Sequence, residues 1–66
     1  MTPEQIHAYF GTDAVYIFNG TADDLSELMI ANSTSYNYIV DGLTEIVYFV
    51  TTGDTSVPED NRILRM

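Results

Sequence analysis

The hydrophobic residues recur with a helical period in two short segments of the chain. In the first segment, Ile6 and Phe10 lie about one turn apart, so they would share a helix face. Thr2 is a suitable N-cap, and Gln5, three residues later, completes a capping box. Gly11 is typical of the position just past a helix end. The pattern therefore predicts a first helix between Thr2 and Gly11.

The second helical segment covers residues 22–31. Thr21 stands where an N-cap belongs, and the Asn-Ser-Thr run at 32–34 is typical of a helix end. The residues that recur at helical spacing and predict one buried stripe are Leu25, Leu28 and Met29. The second helix is thus predicted by its caps as well as by its hydrophobic spacing.

Three other segments are rich in β-branched and aromatic residues, which favours strands. These segments are 14–18, 35–40 and 43–52. The Asp41-Gly42 pair between the last two predicts a β-hairpin with a two-residue type I′ turn.

This order of elements predicts an α+β fold in a single domain of residues 1–66. Two short helices would pack on a three- to four-stranded sheet that contains the hairpin. The last residues, 58–66, have two interpretations. The run RILRM suits a short strand, whereas a helix would pair Glu59 with Arg62 across one turn.

A two-residue turn places the hairpin side chains on two faces, and neither face is polar throughout. Val40 would pair with Leu43, and Tyr38 with Glu45. One face would carry Tyr36, Tyr38, Val40, Leu43, Glu45, Val47 and Phe49. The other would carry Ser35, Asn37, Ile39, Thr44, Ile46, Tyr48 and Val50.

Two short helices can cover one face of a small sheet but hardly two, so we expect something else to bury part of the second face. The candidates are the C-terminal segment together with the first helix, a second copy of the chain, or a protein partner. Because tyrosine is enriched at interface cores, Tyr48 is a candidate partner-binding residue together with Ile39 and Ile46.

The charge of the chain is unbalanced because basic residues are missing. The net charge is -8 at pH 7, there is no lysine, and the only bases are Arg62 and Arg65. Direct binding to nucleic acid or to an anionic membrane is therefore not expected. The N-terminus lacks the features of a signal peptide, and the longest apolar run, IVYFV, is too short to span a bilayer. We expect a soluble, cytoplasmic protein, located in the host cell if a phage encodes it.

The residue types that carry catalysis are scarce. There is no cysteine, and the single histidine, His7, is expected to be a partly exposed helix residue. No glycine-rich phosphate loop or nucleophile-elbow motif occurs. The acidic run at 54–60 lacks the ligand spacing and central glycine of a calcium loop. We therefore expect no enzymatic activity, no cofactor and no metal.

Three acids, Asp23, Asp24 and Glu27, cluster on the side of the second helix opposite its apolar stripe. One explanation is structural, because acids in the first turn of a helix face the positive end of its dipole. The other is functional, because acids without a lysine nearby imitate a row of phosphates and would attract a basic protein.

These observations favour a non-catalytic protein–protein interaction module. The expected function is inhibition of a basic, nucleic-acid-handling protein by a phage-type nucleic-acid mimic, such as an anti-CRISPR or anti-restriction protein, by analogy of size and composition. Asp41 and Glu45, near the hairpin turn, would form a second acidic patch. The alternative is a structural or assembly subunit, either a virion component or a homo-oligomer, that uses the second apolar face of the hairpin.

Overall fold

The computed structural model describes residues 1–52 and 62–65 of the chain. Within these residues, two helices pack on a four-stranded antiparallel sheet with the strand order β2-β3-β1-β4. The elements in chain order are α1 Pro3–Phe10, β1 Tyr16–Phe18, α2 Ala22–Ala31, β2 Ser35–Val40, β3 Val47–Thr52 and β4 Arg62–Ile63. The predicted α+β class is confirmed.

Both helices begin and end where their caps predict. At the start of α1, the Thr2 hydroxyl accepts the N–H of Gln5 at 3.2 Å, and the Gln5 side chain accepts the N–H of Thr2 at 2.9 Å. Gly11 ends the helix with φ 72°, and its N–H donates to the carbonyl oxygen of His7. In α2, the Asn32 side chain donates to the last-turn carbonyl of Leu28 at 2.8 Å. Local hydrogen bonds therefore define both helices.

The predicted hairpin is present, but the predicted turn is wrong. Val40 pairs with Val47 instead of Leu43, so the connection spans residues 41–46 and β3 begins four residues later than expected. Gly42 does not have the positive φ that a type I′ turn requires. Glu45 instead takes a left-handed conformation, with φ 60°.

The side chain of Asp41 explains why the loop is wider. Its Oδ1 accepts the N–H of Leu43 at 2.9 Å, and its backbone carbonyl accepts the N–H of Glu45 at 2.8 Å. The N–H of Asp41 donates in turn to the carbonyl of Ile46 at 2.9 Å and closes the loop. These bonds satisfy the backbone N–H groups of Asp41, Leu43 and Glu45 within the wider loop.

The register shift leaves the two faces of the hairpin strands unchanged. The partner of Val40 moves from position 43 to position 47, which is an even number of residues, so each strand residue keeps its side. The residues that leave the sheet for the loop are Leu43, Thr44, Glu45 and Ile46.

One helix covers each face of the sheet. On the first face, Val47 and Phe49 pack with Leu25 and Met29 of α2. On the second face, Tyr48 and Val50 pack with Ile6 and Val15, and half-buried Phe10 and Leu64 extend this cluster. The expectation that the two helices would cover a single face is wrong, because the buried residues of α1 and α2 pack against opposite faces. Of the three candidates for the second face, α1 and the C-terminal segment are the ones that bury it.

The prediction of a partly exposed His7 is also wrong, since its side chain is buried at 6% exposure. The ring atom Nδ1 lies 3.1 Å from the carbonyl oxygen of Thr12, and Nε2 lies 3.0 Å from that of Leu64. His7 therefore connects α1 to the loop that follows it and to the C-terminal strand. The N–H of Leu64 adds a 2.7 Å bond to the carbonyl of Val15.

The C-terminal strand β4 pairs with β1 through Tyr16 and Ile63, and through Ile17 and Arg62. The strand interpretation of RILRM is thus confirmed for Arg62–Ile63. The acidic run at 54–60 and the start of the alternative helix with Glu59 lie outside the described residues. In the described ranges, no helix is long and apolar enough to cross a membrane.

Candidate functional site

The acidic side of α2 is positioned by a capping box and by two buried residues. The Thr21 hydroxyl accepts the N–H of Asp24, and the Asp24 carboxylate accepts the N–H of Thr21, both at 3.2 Å. Leu25 and Met29 are buried at 0% and 3% exposure against the sheet. The helix is thereby fixed with its opposite side towards solvent.

Asp23 and Glu27 lie side by side on that outer side, one helical turn apart, and both are exposed. At this spacing their Cβ atoms are about 5–6 Å apart. Asp24 is exposed as well, but its carboxylate already serves the capping box. Two of the three predicted acids, Asp23 and Glu27, are therefore available to a partner.

Ile30 is an exposed apolar residue at the C-terminal end of this surface, and it was not predicted as a site residue. Its side chain is 74% exposed. It follows Glu27 by three residues and Asp23 by seven, so all three lie on the same side of α2. This spacing could have shown Ile30 outside the buried stripe. We call Asp23, Glu27 and Ile30 the α2 outer face.

The negative charge of the α2 outer face is not neutralised by the described part of the chain. Among residues 1–52 and 62–65, the only ion pair joins the N-terminal ammonium group to Asp41, with N and Oδ2 at 2.9 Å. The two bases, Arg62 in β4 and Arg65 just after it, form no ion pair with these acids. Within the described residues, the exposed carboxylates of Asp23 and Glu27 therefore face solvent without an ion-pair partner.

Asp41, predicted as part of a second acidic patch, is buried at 3% exposure. The hydrogen bond from the N-terminal ammonium group is the main cause that lowers the pKa of Asp41. The N–H groups of Leu43 and Thr44 lower this pKa further, while burial opposes them. The carboxylate is thus occupied by its own chain, whereas its predicted companion Glu45 is exposed in the loop.

The predicted apolar site residues are not brought together on one accessible surface. Tyr48 is 7% exposed within the core that α1 covers, and burial, followed by the charge of Asp41, raises the pKa of its hydroxyl. Ile39 is half-buried against the same core, and Ile46 is 37% exposed in the loop. The loop instead exposes Leu43, at 91%, which was not predicted as a site residue.

A cleft of about 450 Å³ lies between β1 and the hairpin loop. Its walls include the apolar side chains of Ile17 and Ile46 and the oppositely charged Glu45 and Arg62. His7 lies elsewhere, with both ring nitrogens facing backbone carbonyls, so it is not placed to activate a nucleophile in this cleft. Within the described residues, no group of three or more His, Asp or Glu side chains could hold a metal ion.

Comparison of the sequence and structure with protein-family models, curated proteins and solved structures finds no match.

Proposed function

We propose that this protein is a non-catalytic protein–protein interaction module that occupies a basic surface on a nucleic-acid-handling protein. The observation that carries the proposal is the α2 outer face, where two exposed carboxylates are followed, one turn later, by an exposed apolar side chain and lack an ion-pair partner among the described residues. Such a surface attracts a basic partner over a distance and offers Ile30 for direct contact.

The structural explanation of the acids accounts for only part of this surface. Asp24 contributes to the capping box and Asp23 lies in the first turn, where the helix dipole favours an acid. Glu27 has neither role, and an exposed Ile30 adds nothing to the fold of the monomer. A binding function explains both features, in the way that an anti-CRISPR or anti-restriction protein would use them.

The test compares two double variants that change the charge equally. Asp23→Asn with Glu27→Gln removes the α2 acids, and Glu4→Gln with Asp13→Asn removes two exposed acids elsewhere. Each protein is immobilised and used to capture proteins from nuclease-treated bacterial lysate at increasing salt, with identification by mass spectrometry. Asp24 stays unchanged because its loss would weaken the start of α2.

We expect the unaltered protein to capture basic nucleic-acid-binding proteins, with capture falling steeply as salt rises. The α2 double variant should weaken capture several-fold, and the control double variant should weaken it much less. Ile30→Ser should reduce capture while leaving its salt dependence unchanged. Equal losses in both double variants would mean that net charge, and not the α2 outer face, determines the binding.

An assembly subunit is the second candidate, and the exposed apolar residues around the hairpin loop favour it. Leu43 is 91% exposed in the loop and Val40 is 41% exposed at the end of β2, so both present apolar surface to solvent. A virion component or another assembly would bury these side chains against its neighbours. In that case, capture at low salt would recover structural proteins in place of nucleic-acid-binding proteins.

A further inference from the structure

Strand β2 forms an open edge of the sheet. The strand order β2-β3-β1-β4 leaves one side of β2 without a neighbouring strand among the described residues. The opposite edge is β4, which has only two residues, whereas β2 has six. An edge strand of this length presents a row of backbone donors and acceptors.

The hydrogen bond that closes the hairpin loop identifies the β2 residues whose backbone groups point away from β3. The N–H of Asp41 donates to the carbonyl of Ile46, which continues the β2–β3 register by one pair. Because hydrogen-bonded and non-bonded pairs alternate in an antiparallel ladder, Ile39 bonds to β3 and Val40 does not. The residues whose N–H and C=O groups point away from β3 are therefore Tyr36, Tyr38 and Val40.

Residues 35–40 themselves lack the charges, prolines and bulges that usually protect an edge strand from pairing. Tyr38 and Val40 are 45% and 41% exposed. The ring of Tyr38 stacks on that of Tyr36, with centroids 5.8 Å apart, so the apolar side chains already form a continuous surface.

We propose that β2 pairs with β2 of a second copy of the chain, antiparallel about a two-fold axis at Tyr38. In this register Tyr38 faces Tyr38 of the other copy, and Tyr36 faces Val40. All three outward-facing residues then exchange hydrogen bonds with the other copy. The interface is isologous, as in most homodimers, and it joins two four-stranded sheets into one.

The distribution of charge favours a second copy over a basic partner at this edge. Residues 28–40 form the longest stretch of the chain without a charged residue, so two chains of net charge -8 would meet through their least repulsive segment. The nearest acid, Asp41, is paired with the N-terminal ammonium group. A basic strand would find no carboxylate on residues 35–40 to attract it. This proposal does not depend on the proposed inhibitory function.

The test uses a charge pair across the two-fold axis. Tyr38→Glu and Tyr38→Lys each place like charges opposite each other in the dimer, while a mixture of the two variants places opposite charges there. Sedimentation velocity over a concentration series should show a dimer for the unaltered protein and weaker dimerisation, by about five-fold or more, for each variant alone. The equimolar mixture should recover the dimer.

Tyr9→Glu is the control, because Tyr9 is an exposed tyrosine, at 63%, that belongs to α1 and not to the edge strand. It should dimerise like the unaltered protein. Salt should strengthen the dimer by screening the repulsion between the two copies, whereas salt should weaken binding to a basic partner. The opposite salt dependences therefore allow dimerisation and binding to a basic partner to be tested separately.

Hydrogen exchange on the unaltered protein provides a measurement that needs no variant. The amides of Tyr36, Tyr38 and Val40 should become protected as protein concentration rises. The proposal would be overturned if these amides exchanged freely at every concentration, or if the protein remained a monomer throughout. It would also be overturned if Tyr38→Glu dimerised as tightly as the unaltered protein.

Discussion

Replacing Phe49 with leucine tests the aromatic packing between β3 and β1 in the core that α2 covers. Phe49 is fully buried, at 0% exposure. Its ring is stacked on Tyr16 with centroids 5.4 Å apart and meets the edge of Phe18 at 6.1 Å. Aromatic pairs contribute about 0.5–1.5 kcal/mol each beyond the area they bury, so losing both should cost about 1–3 kcal/mol.

This cost is large for a chain of 66 residues, but it is smaller than the free energy of unfolding expected for most of the range. Natural domains have a free energy of unfolding of about 0.05–0.15 kcal/mol per residue, which is roughly 3–10 kcal/mol here. Phe49→Leu should therefore still fold, whereas Phe49→Ala, at about 3–5 kcal/mol, would remove the whole stability if it lies at the lower end of this range. Urea unfolding followed by circular dichroism measures the difference, with the slope unchanged between variants.

Ile6→Val supplies the matched control, because Ile6 belongs to the core on the opposite face. Its own cost should be about 0.5–1.5 kcal/mol. If one helix covers each face, the two substitutions should add within about 0.5 kcal/mol in the double variant. A strong coupling between them would refute the assignment of Phe49 and Ile6 to separate clusters on opposite faces. A loss below about 0.5 kcal/mol for Phe49→Leu alone would refute the contribution of the two ring pairs.

Two further predictions concern the loops. The folded pKa of Asp41 is lowered, so its ionised form stabilises the fold above the unfolded pKa of about 3.9, and this contribution is lost as pH falls through the folded value. The difference in unfolding free energy between the unaltered protein and Asp41→Asn should therefore shrink on acidification, and a constant difference would contradict this role. A Cβ at Gly20 would lie 2.7 Å from the ring of Phe18, so Gly20→Ala should cost about 1–3 kcal/mol in urea unfolding. Gly42→Ala meets no atom within 4 Å and should change stability by less than about 0.5 kcal/mol; equal effects would argue against the close approach at Gly20.

The sequence predicted those elements whose stabilising contacts are local. The capping boxes join residues three positions apart, so Thr2 and Thr21 already indicated where the helices begin. The two faces of β2 and β3 were predicted correctly although the register was wrong, because the register differed by an even number of residues. The α2 acids were likewise found from helical spacing alone.

The failures concern residues whose partners are distant in the chain. Asp41 receives the N-terminal ammonium group from forty residues away, and this contact turns a predicted surface acid into a buried loop residue. His7 is buried because Leu64, at the other end of the chain, supplies a carbonyl to its ring. Neither contact produces a periodic or short-range pattern in the sequence, so both Asp41 and His7 were predicted to be exposed.

The two proposed surfaces are adjacent in sequence and opposite in electrostatic character. Glu27, on α2, is the last acid before the uncharged residues 28–40, which lead directly into the open edge of β2. A dimer formed through that edge would carry two α2 outer faces and twice the net charge of -8. Repulsion between the copies opposes this dimer, and a bound basic partner would reduce that repulsion. A bound partner would then strengthen dimerisation, and dimerisation would strengthen partner binding by the same free energy, since coupling between two binding events is reciprocal.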